Sequence, residues 1–553
     1  MRSRFLLLFF LAHCSFFSSA QIITSQSTQL DFGQVNELSR DSLSLWIQNP
    51  SSGEIEVTDI LFFNTFGKAA FDTPNKTFSI APKDSQLVKV YFAPRHNILH
   101  NSEMLILSNS DRGSLSIDLK GQGVFSNTYY SSTQNKEGEA LRSALKSRLA
   151  QGFQQLSYNQ ARDQMYMVID NWRVNGRGAN ANKTEGAYSA RVASPYSNRS
   201  QAQVNFQFDT EHIFPQGTFN QNLPMRSDLF HLATTWRTAN STRGNLNFGN
   251  VSGTPDWEVG GSKRGGGVFE PRDEQKGRNA RAMFYFVVRY QNYTGHMKAN
   301  EETVLRQWHA TFAPDDIDRK RNEDIFSAQG NRNPFIDYPQ LVERIASLVG
   351  DGDLPAQKEI HLSENLIDYD TVYAQESVVY NYVIINRGNT AINLSNFSLA
   401  DSYLDFVDNS GADLSLAAGE AHNIRIRLRA PANSQLQSSL NFSSDVAGQE
   451  QISIPINAIS EGANPIDPSL RSELRLKIFP NPANEQVWLD YQAGKSPHLD
   501  LQLFDAWGRS LEANIRLQKG QIESLDTQRL GAGIYFLQVS DGKRAFFERI
   551  QIR

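Results

Sequence analysis

A chain of 553 residues that is 39% hydrophobic and 20% charged, with a formal net charge of −5, has the composition of neither a disordered nor a membrane protein. At ~150 residues per domain it divides into three or four units, because single cores stop growing well short of this length. Its one cysteine, Cys14, lies in the N-terminal leader, which removes thiolate zinc sites and all cysteine chemistry from the mature chain.

That leader reads MRSRFLLLFFLAHCSFFSSA, with Arg2 and Arg4 before an apolar run and the small residues Ser18 and Ala20 at its end. It is a secretory signal peptide spanning 1–20, cut after Ala20. His13 stands where a lipoprotein signal carries a small residue, which argues against lipidation of Cys14. The run is too short to remain as a membrane span, and nothing later reaches ~18 unbroken apolar residues, so no transmembrane segment is expected. Export would have permitted disulfides. Without cysteines, stability must come from packing.

Two distant segments, 21–125 and 356–462, share an order of features. The first carries LDFGQV, then LSLWIQNPSSGEIEVTDI, then FSIAPKDSQLVKVYFAP. The second carries IDYDTV, VVYNYVIINRGNTAINLSNF and LSLAAGEAHNIRIRLRAP. Alternation such as Val88, Val90, Phe92 and Ile424, Ile426, Leu428 has the period of half-buried strands. Many such strands with regular turn signals predict β-sandwiches. Both segments resemble the immunoglobulin-like modules of bacterial surface proteins. Neither holds a cluster of titratable residues, so both are read as spacers or adhesive modules.

Between them, over 126–350, the texture changes to Gly-rich loops, aromatics and helical patterns such as EGEALRSALKSRLAQGF and EETVLRQWHATF. Residues 131–350 carry a net charge of about +5 against about −10 elsewhere, an asymmetry that points to a polyanion. Four stretches carry the chemistry: DTEHIFPQ (209–216), SDLFHLATTWRTANSTRGNLNFG (227–249), FEPRDEQKGRNARAMFYFVVRY (269–290) and QGNRNPFIDYPQL (329–341). Glu211 offers a hard oxygen ligand and His212 a base near neutral pH. Neighbours on a strand point to opposite faces, so the two are expected to serve different jobs. The second stretch is expected to run through a helix to Asn240, whose amide oxygen suits a cation, while Arg243 can hold a phosphate through paired N–H donors. A carboxylate, an amide oxygen and waters make a magnesium-type site rather than a zinc site. A lone His between apolar residues is more often structural, so the pair does not decide the matter alone.

Together these stretches resemble the bacterial endonuclease I family, extracellular or periplasmic nucleases with a ββα-metal (His-Me finger) core, from about Tyr129 to Leu348. The resemblance implies an α+β nuclease domain that hydrolyses DNA, with RNA left open as a second substrate, with little sequence preference, leaving 5′-phosphates. It makes His212 the general base. Glu211 and Asn240 would hold one Mg²⁺, with Mn²⁺ or Ca²⁺ as substitutes. Arg243, Arg281 and Arg332 become candidate phosphate contacts, each equally able to tie a helix end or a loop. His231 and Asn245 would support the site from behind. The chain departs from many relatives in lacking cysteines and in reading FHLATTW where a paired-His leader is common, and no further arginine for clamping the transition state can be placed.

The last segment, 470–553, carries FPNPA, LFDAWGR and GAGIYFLQV before a strand at the very end. It resembles the C-terminal sorting domain of the type IX secretion system of Bacteroidetes-type bacteria, a small β-sandwich. This implies export to the outside or the cell surface by way of the periplasm, an encounter with the secretion machinery, and removal of the domain itself. The competing reading is a surface adhesin whose nuclease-like domain binds nucleic acid without cutting it. A metalloprotease is excluded, because no H-E-x-x-H occurs.

Overall fold

The computed structural model describes residues 23–553 apart from 65–68, 111–112, 374–376, 462–467, 493–495, 507–508, 510, 512–514 and 542–544. The leader, with Cys14, and part of LFDAWGR lie outside the described residues. Four main hydrophobic cores follow one another along the chain: Ile23 to Leu119, Tyr130 to Leu348, Ile360 to Ala458, and Leu470 to Ile552.

The first and third are two-sheet sandwiches with the same wiring. In each, the opening strand pairs in parallel with the closing strand, Gln29–Asn36 with Leu115–Val124 and Ile367–Tyr373 with Gln451–Glu461. In both, the register slips within the opening strand, between Asp31 and Gln34 and between Asp368 and Thr371. The strand orders of the paired sheets correspond one to one, so the repeat seen in sequence is a repeat of topology. Alternation drives it: Val88, Val90 and Phe92 turn inward, as do Ile424, Ile426 and Leu428. The tail is built of a three- and a four-stranded sheet.

The two sandwiches also pack on each other. Leu105 of the first meets Val383 and Ile385 of the second in a small dry cluster, flanked by Leu61, Phe63, Leu107 and Ala421. Gly113 bridges to Asn381 across this seam. A Cβ at Gly113 would fall 2.1 Å from the Asn381 carbonyl oxygen, so the close approach requires glycine. The second unit leaves the first through a tight joint: Phe125 stacks on Tyr338 at 3.8 Å, and the buried Arg344 donates to Asn97 at 2.6 Å.

In the second unit the relevant elements are helix α1 (Gly138–Ala150), α2 (Tyr158–Gln164), strands β1 (Phe208–His212) and β2 (Leu232–Trp236), α3 (Arg237–Arg243), α4 (Asp273–Arg289) and α5 (Asp316–Gln329). Strand β1 pairs antiparallel with β2, Glu211 opposite Ala233 and His212 opposite Leu232, and α3 follows directly. The helix expected through Leu232–Trp236 is instead a strand. Thr234, Thr235 and Trp236 favour the pleat, and the helix begins only at Arg237. Helix α4 is buried almost all round from Gly277 to Arg289, as a helix at the centre of a core must be. Phe214, just past β1, stacks on its Phe286 at 4.0 Å, which anchors the strand end to the core.

The seam generates a test. Leu105→Asp would place a carboxylate in a dry contact at a cost of several kcal/mol. Small-angle scattering should then show a larger radius of gyration, while the melting transition of the central unit persists.

Candidate functional site

Just past His212 the Ile213 N–H makes one more bond in register, to the His231 carbonyl, and Pro215 has no amide hydrogen to continue the ladder. Glu211 and His212 therefore project to opposite sides of the ribbon at its last rung. Both are almost fully buried.

On one side, Glu211 Oε1 accepts from the Tyr188 hydroxyl at 2.9 Å and faces Arg243 Nη1 at 3.2 Å. Arg243 is 1% exposed. It donates onward to the carbonyls of His212 at 3.2 Å and Ile213 at 2.6 Å. The expectation that Arg243 contacts phosphate gives way here: its guanidinium is sealed in the core and ties α3 to the end of β1. Burial pushes the Glu211 carboxyl up to about 7, opposed by the Arg243 charge and the Tyr188 hydrogen bond. Among the described residues no side-chain donor reaches its second oxygen.

Asn240 lies one turn before Arg243 on the same face of α3. Its amide nitrogen donates to Asp209 Oδ2 at 3.3 Å and to the Thr210 carbonyl at 3.4 Å, which leaves Oδ1 as an unengaged acceptor. Glu211 on β1 and Asn240 on α3 thus offer a carboxylate oxygen and an amide oxygen beside the same strand. Both donors to the carboxyl fall on Oε1, and a hard divalent cation would satisfy the other oxygen, so this donor set fits such an ion. Among the described residues no group of three His, Cys, Asp or Glu side chains converges, so amide and water oxygens would have to complete the shell.

On the other side, His212 Nε2 lies 3.1 Å from the Arg226 carbonyl. A carbonyl only accepts, so Nε2 carries the proton and Nδ1 presents its lone pair. Burial holds the ring well below its usual pKa, helped by His231 and by the charges of Arg226 and Arg243. The imidazole is neutral at neutral pH. Tyr158 stacks on it at 5.6 Å and 29°, and the His231 ring lies 5.5 Å away. His231 donates to the Met225 carbonyl at 2.6 Å, fully buried against Phe286. The expected support from His231 therefore has a physical basis. Asn245 is exposed and reaches the vicinity of Gly217 without a hydrogen bond.

The structure does not bring Arg281 and Arg332 to this place. Arg281 is buried and donates to Asp318 at 2.7 Å and to the Phe312 carbonyl at 2.8 Å. Arg332 is bound by Asp337 at 2.8 Å and Glu323 at 2.7 Å. Their guanidinium ends are held by α5 and the segments before and after it, so the expectation of phosphate contacts is corrected to a structural role. The residue that sequence reasoning missed is Arg226. It is half-buried beside His212, lies 4.3 Å over the Tyr158 ring and has no carboxylate partner. Its only sequence signal is a basic residue just before Ser227-Asp228.

Comparisons with known proteins match two parts of the chain to families. Residues 133–340 match the endonuclease I family and residues 477–553 match the secretion system C-terminal sorting domain. Over 235 residues the chain is 32% identical to the extracellular ribonuclease of Bacillus subtilis (strain 168), covering 39% of this chain and 78% of that one. It is 31% identical over the same span to the extracellular ribonuclease of Bacillus amyloliquefaciens. Among solved structures, a PapD-like domain of human CEP192 aligns over 22% of this chain at 11% identity and a TM-score of 0.19, too low to bear on function.

The Arg243–Glu211 pair has a stability consequence with a definite sign. Glu211 has a folded pKa above its usual 4.5, so its contribution is full below that value and is lost as pH rises through about 7. Removing the guanidinium in Arg243→Met leaves a buried carboxylate unpaired, at a cost of about 3–5 kcal/mol. Thermal melts of metal-free protein should show a large loss at pH 8 and a clearly smaller one at pH 5, where the carboxyl is protonated.

Proposed function

The chain belongs to the endonuclease I family and is a secreted or cell-surface nuclease with a type IX sorting domain; from that premise we propose that it hydrolyses phosphodiesters with His212 as the general base. The single observation that carries this is the hydrogen bond from His212 Nε2 to the Arg226 carbonyl, which commits the other ring nitrogen to accepting a proton.

In this mechanism His212 Nδ1 takes a proton from water as the water oxygen attacks phosphorus, and the bond to the 3′ oxygen breaks. The phosphate stays on the 5′ side. The depressed pKa keeps the imidazole unprotonated and ready. Arg226, stacked on Tyr158, supplies a guanidinium for the non-bridging oxygens. Glu211 and Asn240 would hold a divalent cation, Mg²⁺ by the hardness of the donors. When bound there, such an ion would supply charge neutralisation to the phosphodiester. Tyr188 and Arg243 fix the orientation of Glu211. Because the attacking oxygen is water's, no 2′-hydroxyl is required, and both DNA and RNA are substrates. Contacts confined to phosphate read no bases, so sequence preference is weak.

Plasmid nicking and cleavage of a labelled RNA by the full chain, with Mg²⁺ and with EDTA, test the reading. His212→Ala should lose about 10²–10⁴-fold in rate, and Arg226→Ala about 10²-fold. Cleavage that persists in both EDTA and His212→Ala would refute the mechanism, and a gel shift without cleavage would favour a binding protein. The pH profile is a further check. With the His212 pKa lowered, the acid limb should lie below pH 6.5, the rate rising through it and then levelling.

A further inference from the structure

Tyr158 is the first residue of α2, fixed there by a capping box in which Ser157 and Gln160 bond each other's backbone. Its ring lies against His212, and two guanidinium carbons approach its centre, Arg226 at 4.3 Å and Arg162 at 4.4 Å. Arg162 is four residues on, one turn along the same helix face. Two like charges thus share one aromatic ring beside the proposed base.

Neither guanidinium is neutralised by a carboxylate. Arg162 Nη2 donates to the Asn159 amide oxygen at 2.6 Å, its only side-chain hydrogen bond among the described residues. The Nε atoms of Arg162 and Arg226 make no hydrogen bond, as holds for several arginines of the domain, Arg199 included. The difference lies in charge: Arg199, which reaches the same Asn159, has the Asp163 carboxylate 3.1 Å from its Nε. Arg272, Arg278 and Arg321 elsewhere in the domain are likewise paired, with Glu185, Asp315 and Asp170. Buried donors without acceptors are costly unless a ligand completes them. A π face tolerates cations but accepts no N–H in the guanidinium plane. What the pair lacks is an anion with several acceptor oxygens.

We propose that Arg162, held by Tyr158 beside Arg226, binds a second backbone phosphate, next along the strand to the one that is cut. The proposal rests on the nuclease reading above and deepens it. Arg226 shares a peptide with the carbonyl that orients His212 and so serves the scissile phosphate. Arg162, anchored on a different element, serves its neighbour. The substrate is then a strand of at least two phosphodiesters, and a lone diester is a poor one.

Two measurements on the full chain test this. The first is the ratio of kcat/KM for a single-stranded oligonucleotide to that for bis(4-nitrophenyl) phosphate, which has one phosphate. Arg162→Ala should lower that ratio tenfold or more and Arg162→Lys should restore part of it, whereas Arg199→Ala, whose partner is Asp163, should leave it as in the parent. The second is anisotropy of a labelled oligonucleotide in EDTA, where no strand is cut. There Arg162→Ala should weaken binding and reduce the salt slope by about one. Equal losses on both substrates, or unchanged anisotropy and slope, would overturn the subsite. A parent that binds the strand but cuts neither substrate would instead overturn the nuclease mechanism while leaving the binding result to stand on its own.

Discussion

One buried guanidinium organises the site. Arg243 has left water completely, and in exchange it holds the Glu211 carboxylate and the carbonyls of His212 and Ile213 together. A charge in such surroundings is tolerated only when its partners are fixed. The requirement runs both ways. The end of β1 can leave the sheet because Arg243 donates to the carbonyls of His212 and Ile213, to which no strand donates. Glu211 can sit in the core because Arg243 sits there too. The helix that delivers Arg243 delivers Asn240 one turn earlier, so the same constraint places the amide oxygen along the strand.

From that joint the two faces of the ribbon acquire opposite electrical characters. On the Glu211 side a carboxyl is pressed toward neutrality by burial and invites positive charge. On the His212 side an imidazole is pressed toward neutrality as well, but with cations around it, and the surroundings invite negative charge. A ribbon two strands wide separates a place for a cation from a place for an anion. The hydrophobic wall behind both, Phe214 and His231 on Phe286 of α4, keeps the separation rigid.

Much of this was legible in the chain. The adjacent Glu211 and His212 announced themselves by alternation, and the repeat of the outer modules by the order of its strands. What misled was arginine. A guanidinium in sequence has a charge but no address, and Arg243, Arg281 and Arg332 all proved to be consumed by internal partners. Arg162 and Arg226, which face no carboxylate among the described residues, sit in unremarkable polar contexts. They meet at Tyr158 only because α2 folds across a strand some fifty residues later. The helix expected to lead to Asn240 is present but short, Arg237–Arg243, because Leu232–Trp236 before it pairs with β1 as a strand.

The nuclease unit begins and ends at one spot. The backbone of Glu139 donates to Asp353 Oδ1 at 2.8 Å, and that of Gly352 donates to Glu139 Oε1 at 2.6 Å. The chain thus leaves one sandwich, builds more than two hundred residues of enzyme, and returns to its point of departure before forming the other. The two sandwiches, already in contact with each other, therefore behave as a socket, and the nuclease as a cassette plugged into it. A socket of this kind can exchange its insert by recombination at two neighbouring positions, with the seam, the leader and the export tail carried over unchanged.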